Sequence, residues 1–194
     1  MKKIIELETN RLYLRQWQPA DFEPFAALNA DSEVMAFFPS PLARAESDTM
    51  AQRCLSLIAA RGWGLWVVEC KATGVFMGFV GLHIPSSSLP FAPCVEVGWR
   101  LARMYWDKGY ATEGAQAALH VAFRRLNRKE VVSFTTVNNV RSRAVMLRLG
   151  MREAGLFDHP QVPAGSGLRQ HCLFRLAGED YDTQSHIPVK LREL

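Results

Sequence analysis

Between Cys94 and Val137 the chain runs from a β-rich segment through a helix-patterned one into a second β-rich segment, and that order constrains the fold most. Cys94–Leu101 and Val131–Val137 read as strands, with branched and aromatic residues. Gly109–Leu126 spaces Ala111, Ala115, Ala118, Leu119, Ala122, Phe123 and Leu126 at a helical period, with small residues that permit close packing. Strand, helix and strand in succession imply a parallel pair joined by a right-handed crossover, the hand that lets a helix pack back on a twisted sheet.

The remaining segments build outward from that unit. Arg11–Arg15 alternates polar and apolar as a strand, and Pro19-Ala20-Asp21 turns into a helix near Asp21–Asn29. A helix follows over Ala45–Arg61, stopped by Gly62-Trp63-Gly64. Leu65–Cys70 and Val75–Ile84, joined by Lys71–Gly74, read as a hairpin. Arg141–Leu149 is a short helix ending at Gly150, and Gly155–His159 and Gln170–Leu176 are the last strands. The expectation is an α/β (α+β) architecture: a mixed, mostly antiparallel sheet with one parallel pair and helices on its faces.

With 194 residues and no repeat or composition break, one domain is expected over residues 1–180, with a polar, loosely held tail over 181–194. Such a domain buries roughly 70% of its unfolded surface and needs neither disulfide nor metal to hold its core. No apolar run approaches the ~18 residues of a membrane span. Glu6 and Glu8 interrupt the place where a signal peptide needs an apolar stretch. Cys54, Cys70, Cys94 and Cys172 lie far apart without CxxC pairing, which suits reduced thiols in a cytoplasmic protein. The net charge of +4 is mild, and its basic clusters (Arg124, Arg125, Arg128, Lys129; Arg141, Arg143, Arg148, Arg152) come without any nucleic-acid recognition motif. A nucleic-acid partner is therefore not expected.

Chemistry concentrates in residues 95–119. There a strand enters a short loop, and Lys108-Gly109-Tyr110-Ala111-Thr112 opens the long helix. A helix start presents free backbone N–H groups and the positive end of the macrodipole. Gly109 and Ala111 let a bulky anion approach, Lys108 adds a cation and Thr112 a hydroxyl, as a diphosphate seat requires. The same small residues also suit plain helix–sheet packing. Neither GxxxxGK[ST] nor GxGxxG is present.

EVGWRLARMYWDKGYATEG, residues 95–114 without its first valine, resembles the acetyl-CoA-binding motif of the GNAT N-acetyltransferase superfamily, in the branch that acetylates ribosomal-protein N-termini (the RimJ/RimL type). Asn139 through Met151 is similar to the superfamily's N-x-x-[SA]…K-x-G-F segment, and LETNRLYLRQWQPADFEPF to the branch's usual start. The resemblance covers most of residues 7–176. It implies a GNAT-like sheet whose parallel strands splay apart, and acetyl-CoA as cosubstrate. Backbone groups of Trp99, Arg100 and Leu101 would pair with the pantetheine arm as with an added strand. Amides of Asp107, Lys108, Gly109, Tyr110, Ala111 and Thr112 would hold the pyrophosphate. Asn139 would bond the pantetheine, and Ser142 would lie near its sulfur. Two positions depart from the superfamily pattern: Trp106 replaces Gln or Arg, and Met146 stands where a Tyr often acts as general acid.

Acetyl transfer needs a neutral amine, a polarised thioester carbonyl and a leaving thiolate. An α-amine has a pKa of about 7.7–8.0 and a lysine about 10.4, so a base helps either and lysine more. Glu96 is the first candidate base and His83 the second; Ser142 is the candidate acid. Asp158, His159 and His171 fall where acceptor loops lie in the family, and Cys94 is a remote candidate for a covalent route. Of Trp17, Phe37, Phe38, Trp63, Trp66, Phe91 and Phe157, core packing accounts for most, and Phe37–Pro39 with Leu89–Phe91 suits a cleft rim. No metal-ligand spacing is present. The expected partners are acetyl-CoA and an amine acceptor, a protein N-terminus or a small molecule, with no membrane; a homodimer is compatible with the chain. The competing reading is a CoA-binding or interaction protein that keeps the fold without the chemistry.

Overall fold

The computed structural model describes residues 3–85, 87–184 and 186–194. In chain order its elements are β1 (Ile5–Glu8), β2 (Leu12–Arg15), α1 (Phe22–Ala30), α2 (Arg44–Arg61), β3 (Leu65–Cys70), β4 (Phe76–His83) and β5 (Glu96–Leu101). Then follow α3 (Tyr110–His120), β6 (Glu130–Thr136), α4 (Val140–Arg148), β7 (Arg152–Asp158), β8 (Gln170–Ala177), α5 (Gly178–Asp182) and β9 (Lys190–Glu193). Among the described residues the strands form one sheet in the order β7-β8-β6-β5-β4-β3-β2-β1-β9. Its one parallel contact is β5 with β6, joined through α3; the other pairings are antiparallel. This is the mixed, mostly antiparallel sheet with one parallel pair that the strand–helix–strand order implied.

The two faces of β4 and β5 are sorted by the pleat, because alternate residues point to opposite sides. Val80 lies under α3, where a Cβ on Gly114 would stand 3.2 Å from its side chain; glycine lets helix and sheet approach that closely. Phe79, on the other face, packs edge-on against Phe25 of α1. Around Phe25 gather Trp17 and Phe76, and Ile58 of α2 is wholly buried. Gly62, at φ 84°, closes α2 by donating its N–H to the Ile58 carbonyl.

Two expectations change here. The stretch after Gly178, expected to be loose, carries α5 and then β9, which pairs with β1 from Ile5↔Glu193 to Glu8↔Lys190. The helix expected to run to Leu126 gives way at Val121 to a wider turn, in which Leu126 donates its N–H five residues back to Val121.

Candidate active site

The parallel pair parts almost as soon as it forms. Its ladder register is the single pair Glu96↔Val132. The Val95 carbonyl accepts from the Val132 N–H at 2.9 Å, and the next link is a side chain, Ser133 Oγ to the Val97 carbonyl at 2.9 Å. Beyond Val97 the alternation of an antiparallel strand turns the odd residues of β5 toward the gap and the even ones toward β4. Trp99 and Leu101 therefore present backbone groups to the gap, and Leu101's carbonyl is taken by Trp106 Nε1 at 2.8 Å. Arg100 does not: paired with Phe79, its main chain faces β4. Strand parity thus divides the three residues expected along a pantetheine arm: Trp99 and Leu101 turn their main chain to the gap, and Arg100 turns its main chain to β4.

At the end of the gap stands the start of α3. Asp107 and Gly109 both have left-handed backbones (φ 58° and 78°), which alternate the amides of this loop into a concavity. The first backbone bond of α3 runs from Glu113 N–H to the Gly109 carbonyl, so the amides of Tyr110, Ala111 and Thr112 precede the ladder and point outward. Asp107, Lys108 and Gly109 are exposed. The Lys108 ammonium folds back to the Met104 carbonyl at 2.8 Å.

The sequence reading missed what holds the corner in place. Glu113, buried, accepts from Thr9 Oγ1 (2.7 Å), Arg11 N–H (2.9 Å) and Arg11 Nε (2.6 Å). Arg11 also donates to the Lys108 carbonyl at 3.0 Å and covers the Tyr110 ring at 4.4 Å. The turn between β1 and β2 is thus tied to the loop before α3. Beside it lies a recess of about 430 Å³ lined by Arg11, Gly109, Thr112, Glu113, Gln116 and Arg148. The sequence signal was a Thr and an Arg two positions apart and a Glu more than 100 residues beyond them, which no spacing rule connects.

Asn139 caps α4: its Oδ1 accepts the Ser142 N–H at 3.2 Å, and its Nδ2 donates to Thr135 Oγ1 at 3.0 Å. Ser142 is half-buried in the first turn of that helix. Arg141 stacks on Trp106 at 4.7 Å, which brings α4 against the corner before α3. Met146, where a tyrosine often acts as acid in the superfamily, is 1% exposed and belongs to the core.

Glu96 and His83 are direct cross-strand partners, so their side chains share the face of the sheet that α1 and α2 cover. Burial pushes the Glu96 carboxyl up to about 8. The His83 imidazole is held below its ordinary value by burial first, then by Arg53 and Arg61. At neutral pH both groups are largely uncharged. Next along β5, a Cβ on Gly98 would meet only Glu96 Oε1, at 3.7 Å, so the strip beside Glu96 is open to a ligand. Cys94 is a poor nucleophile, because burial pushes its thiol up to about 11 and Glu96 adds repulsion.

Asp158, His159 and His171 divide their roles. Asp158 pairs with Arg169 Nε at 3.1 Å instead of orienting His159, whose Nδ1 accepts the Gln161 N–H. His159 and His171 face each other at 4.9 Å between centroids, beside Phe134 and Phe157. Phe91 packs edge-on to Phe157 at 4.9 Å. Of the aromatic residues considered for a cleft, Trp17, Trp63 and Trp66 are core, while Phe38 remains exposed.

A family model described as an acetyltransferase (GNAT) domain matches residues 11–152. The chain is 26% identical over 178 residues to the uncharacterized N-acetyltransferase YnaD of Bacillus subtilis, covering 92% of this chain and 100% of that one. It is 32% identical over 152 residues to the FsC-acetyl coenzyme A-N(2)-transacetylase of Aspergillus fumigatus, covering 74% of this chain and 63% of that relative. An acetyltransferase (GNAT family) from Bacillus anthracis superposes with a TM-score of 0.75 at 22% identity, over 90% of this chain and 99% of that one. Mycobacterium smegmatis RimJ, solved in complex with CoA-disulfide, gives a TM-score of 0.72 at 18% identity over 95% and 93%. At these identities the structural likeness speaks for the fold.

Proposed function

Because the chain belongs to the GNAT acetyltransferase family, we propose that it transfers an acetyl group from acetyl-CoA directly to a primary amine. The observation that carries this reading is the opening between β5 and β6, with Glu96 at its closed end and the free amides of α3 at the other. The pantetheine lies along the edge of Trp99 and Leu101, and the diphosphate sits on the amides from Asp107 to Thr112. Asn139 and Ser142, at the start of α4, border the arm. A backbone N–H of β5 turned to the gap polarises the thioester carbonyl.

The amine attacks the carbonyl carbon in its neutral form. Its surplus proton passes to Glu96 in the carboxylate form, directly or through one water, and the collapsing intermediate expels the CoA thiolate. A carboxyl with a pKa near 8 matches an α-amine of about 7.7–8.0 as proton acceptor and is poorly matched to a lysine near 10.4. That match favours a protein N-terminus or an α-amino compound, in keeping with the RimJ/RimL-like sequence pattern. Solvent at the open strip beside Gly98 takes the proton from Glu96, and His83, neutral and opposite Glu96, borders that path. A thiolate with an ordinary pKa near 8.5 leaves without much help, so Ser142 suffices as its proton donor. The four free cysteines support a reducing, cytoplasmic setting.

One observation favours a second reading: the buried Met146 leaves the superfamily's usual acid absent, as in a CoA-binding protein without turnover. Thiol release from acetyl-CoA, measured with a panel of α-amines, ε-amines and no amine, separates the two. Transfer predicts acceptor-stimulated release. Tight CoA binding with no stimulation by any amine sinks the catalytic reading.

A further inference from the structure

Arg100 is the least compensated charge on the face of the sheet that carries Glu96. It is 9% exposed and stands four residues from Glu96 on the same side of β5, about 13 Å along the strand. Its Nη1 donates to Asn29 Oδ1 at 2.5 Å, and Asn29 is fixed in turn by donating to Ser47 Oγ at 2.9 Å. The guanidinium stacks on Phe38 at 4.2 Å and lies 5.5 Å from the Phe79 centroid. Its Nε is buried with no hydrogen-bond partner. Among the described residues no carboxylate forms an ion pair with it.

Arg15, half-buried, shows what this protein does with a structural arginine: Asp21 and Glu69 hold it at 2.8 and 2.7 Å. Removing a cation from water without a counter-ion is costly, and ring stacking recovers only part of that cost. Burial draws the Arg100 guanidinium down to about 10, so it remains a cation at neutral pH. The surface over it is Phe38, a ring 38% exposed on the connection between α1 and α2, with no strand or helix to fix it.

We propose that Arg100 is the anion-binding element of the acceptor site: its Nε edge takes a carboxylate of the acceptor once the Phe38 ring swings aside, so the amine acetylated is carried on an acid. This rests on the transferase reading and narrows its acceptor to amino acids and peptide-like acids. A carboxylate suits the site because a planar anion matches the guanidinium fork.

The test uses the CoA-bound protein and calorimetry with N-acetylated acids as product analogues: N-acetylglycine, N-acetylphenylalanine and N-acetyl-6-aminohexanoate, each against its carboxamide. At least one acid is expected to bind tenfold or more tightly than its amide. That preference should vanish in Arg100→Gln and survive in part in Arg100→Lys, while the acetyl-CoA KM stays unchanged. Acid and amide binding alike across the set, binding by neither, or an undiminished preference in Arg100→Gln overturns the proposal. If Arg100→Gln does not fold, the wild-type comparison and Arg100→Lys decide. Amine-stimulated thiol release is scored separately: an acid preference without release overturns transfer alone, and release without acid preference overturns the role of Arg100 alone.

Discussion

The two ends of the cleft solve opposite electrostatic problems. At the α3 corner the buried carboxylate and the lysine that flank the loop are both held: Glu113 is met by Thr9 and Arg11, and Lys108 by the Met104 carbonyl. What is left unpaired there is backbone, a set of neutral N–H groups that cost little while water covers them. On the face of β5 under α1 and α2 the unpaired groups are side chains. Glu96 is held largely protonated by desolvation, and Arg100 is a cation with no acid beside it. On the proposed reading the first region receives the one anion common to every turnover, the diphosphate of the cosubstrate. The second stores unfavourable electrostatics that a reacting, variable ligand can relieve, as active sites commonly do.

The sharpest way to break this contrast is Glu96→Gln, which removes the base and keeps the shape. Turnover should fall by about 10²–10⁴-fold, with CoA affinity near that of the wild type. The wild-type kcat/KM should climb as pH rises through about 8, as Glu96 becomes a carboxylate, and the variant should lose that limb. An unchanged profile removes Glu96 from the mechanism. At the other end, Gly109→Glu forces a side chain onto a left-handed backbone and puts a carboxylate in the anion seat. Strain of about 1–2 kcal/mol plus charge repulsion should weaken CoA binding by on the order of 100-fold. Calorimetry showing wild-type affinity would displace the seat from this corner.

The same contrast explains what the sequence could disclose. Strand, helix and strand from Cys94 to Val137 are legible because apolar periodicity and a glycine-opened helix are local signals. The anion corner is legible for the same reason: its residues are consecutive. β1 and β9 are not legible, since each has only four residues, two of them charged in β1 and three in β9. Glu8 reads as a polar interruption, yet in the sheet it pairs with Lys71 at 2.7 Å and Arg192 at 3.0 Å, residues 63 and 184 positions further along the chain. Arg100 was read as a backbone contact because a strand's parity relative to its neighbours is a property of the sheet, invisible in one segment.

Glu113→Gln tests whether the corner's rigidity comes from its tie to the first hairpin. The amide cannot accept from Thr9, Arg11 N–H and Arg11 Nε together. Urea unfolding should show a loss of about 1–3 kcal/mol. CoA affinity should drop by roughly tenfold, equivalent to about 1.4 kcal/mol, as the loop from Asp107 to Gly109 loosens. A stability loss with no change in CoA affinity would mean that the tie only holds the fold.

The smallest expected effect bears most directly on stored electrostatics. Glu96 is raised from 4.5 to about 8 in the folded chain. Below pH 4.5 it is neutral folded or unfolded and contributes no difference. Between 4.5 and 8 the unfolded chain ionises freely while the folded one resists, so stability drains away as pH rises; above 8 the deficit is constant. Glu96→Gln should therefore melt close to the wild type at pH 4.5 and higher at pH 8. The gain should be roughly 1–2 kcal/mol, less than the full shift implies, because Glu96 as a residue keeps part of its surface in water, which relaxes around the charge. A variant that is both slower and more stable, with the stability gain growing along the pH range that switches on turnover, ties the two properties to one carboxyl. A gain independent of pH would assign it to packing and leave the contrast between the two ends without its electrostatic basis.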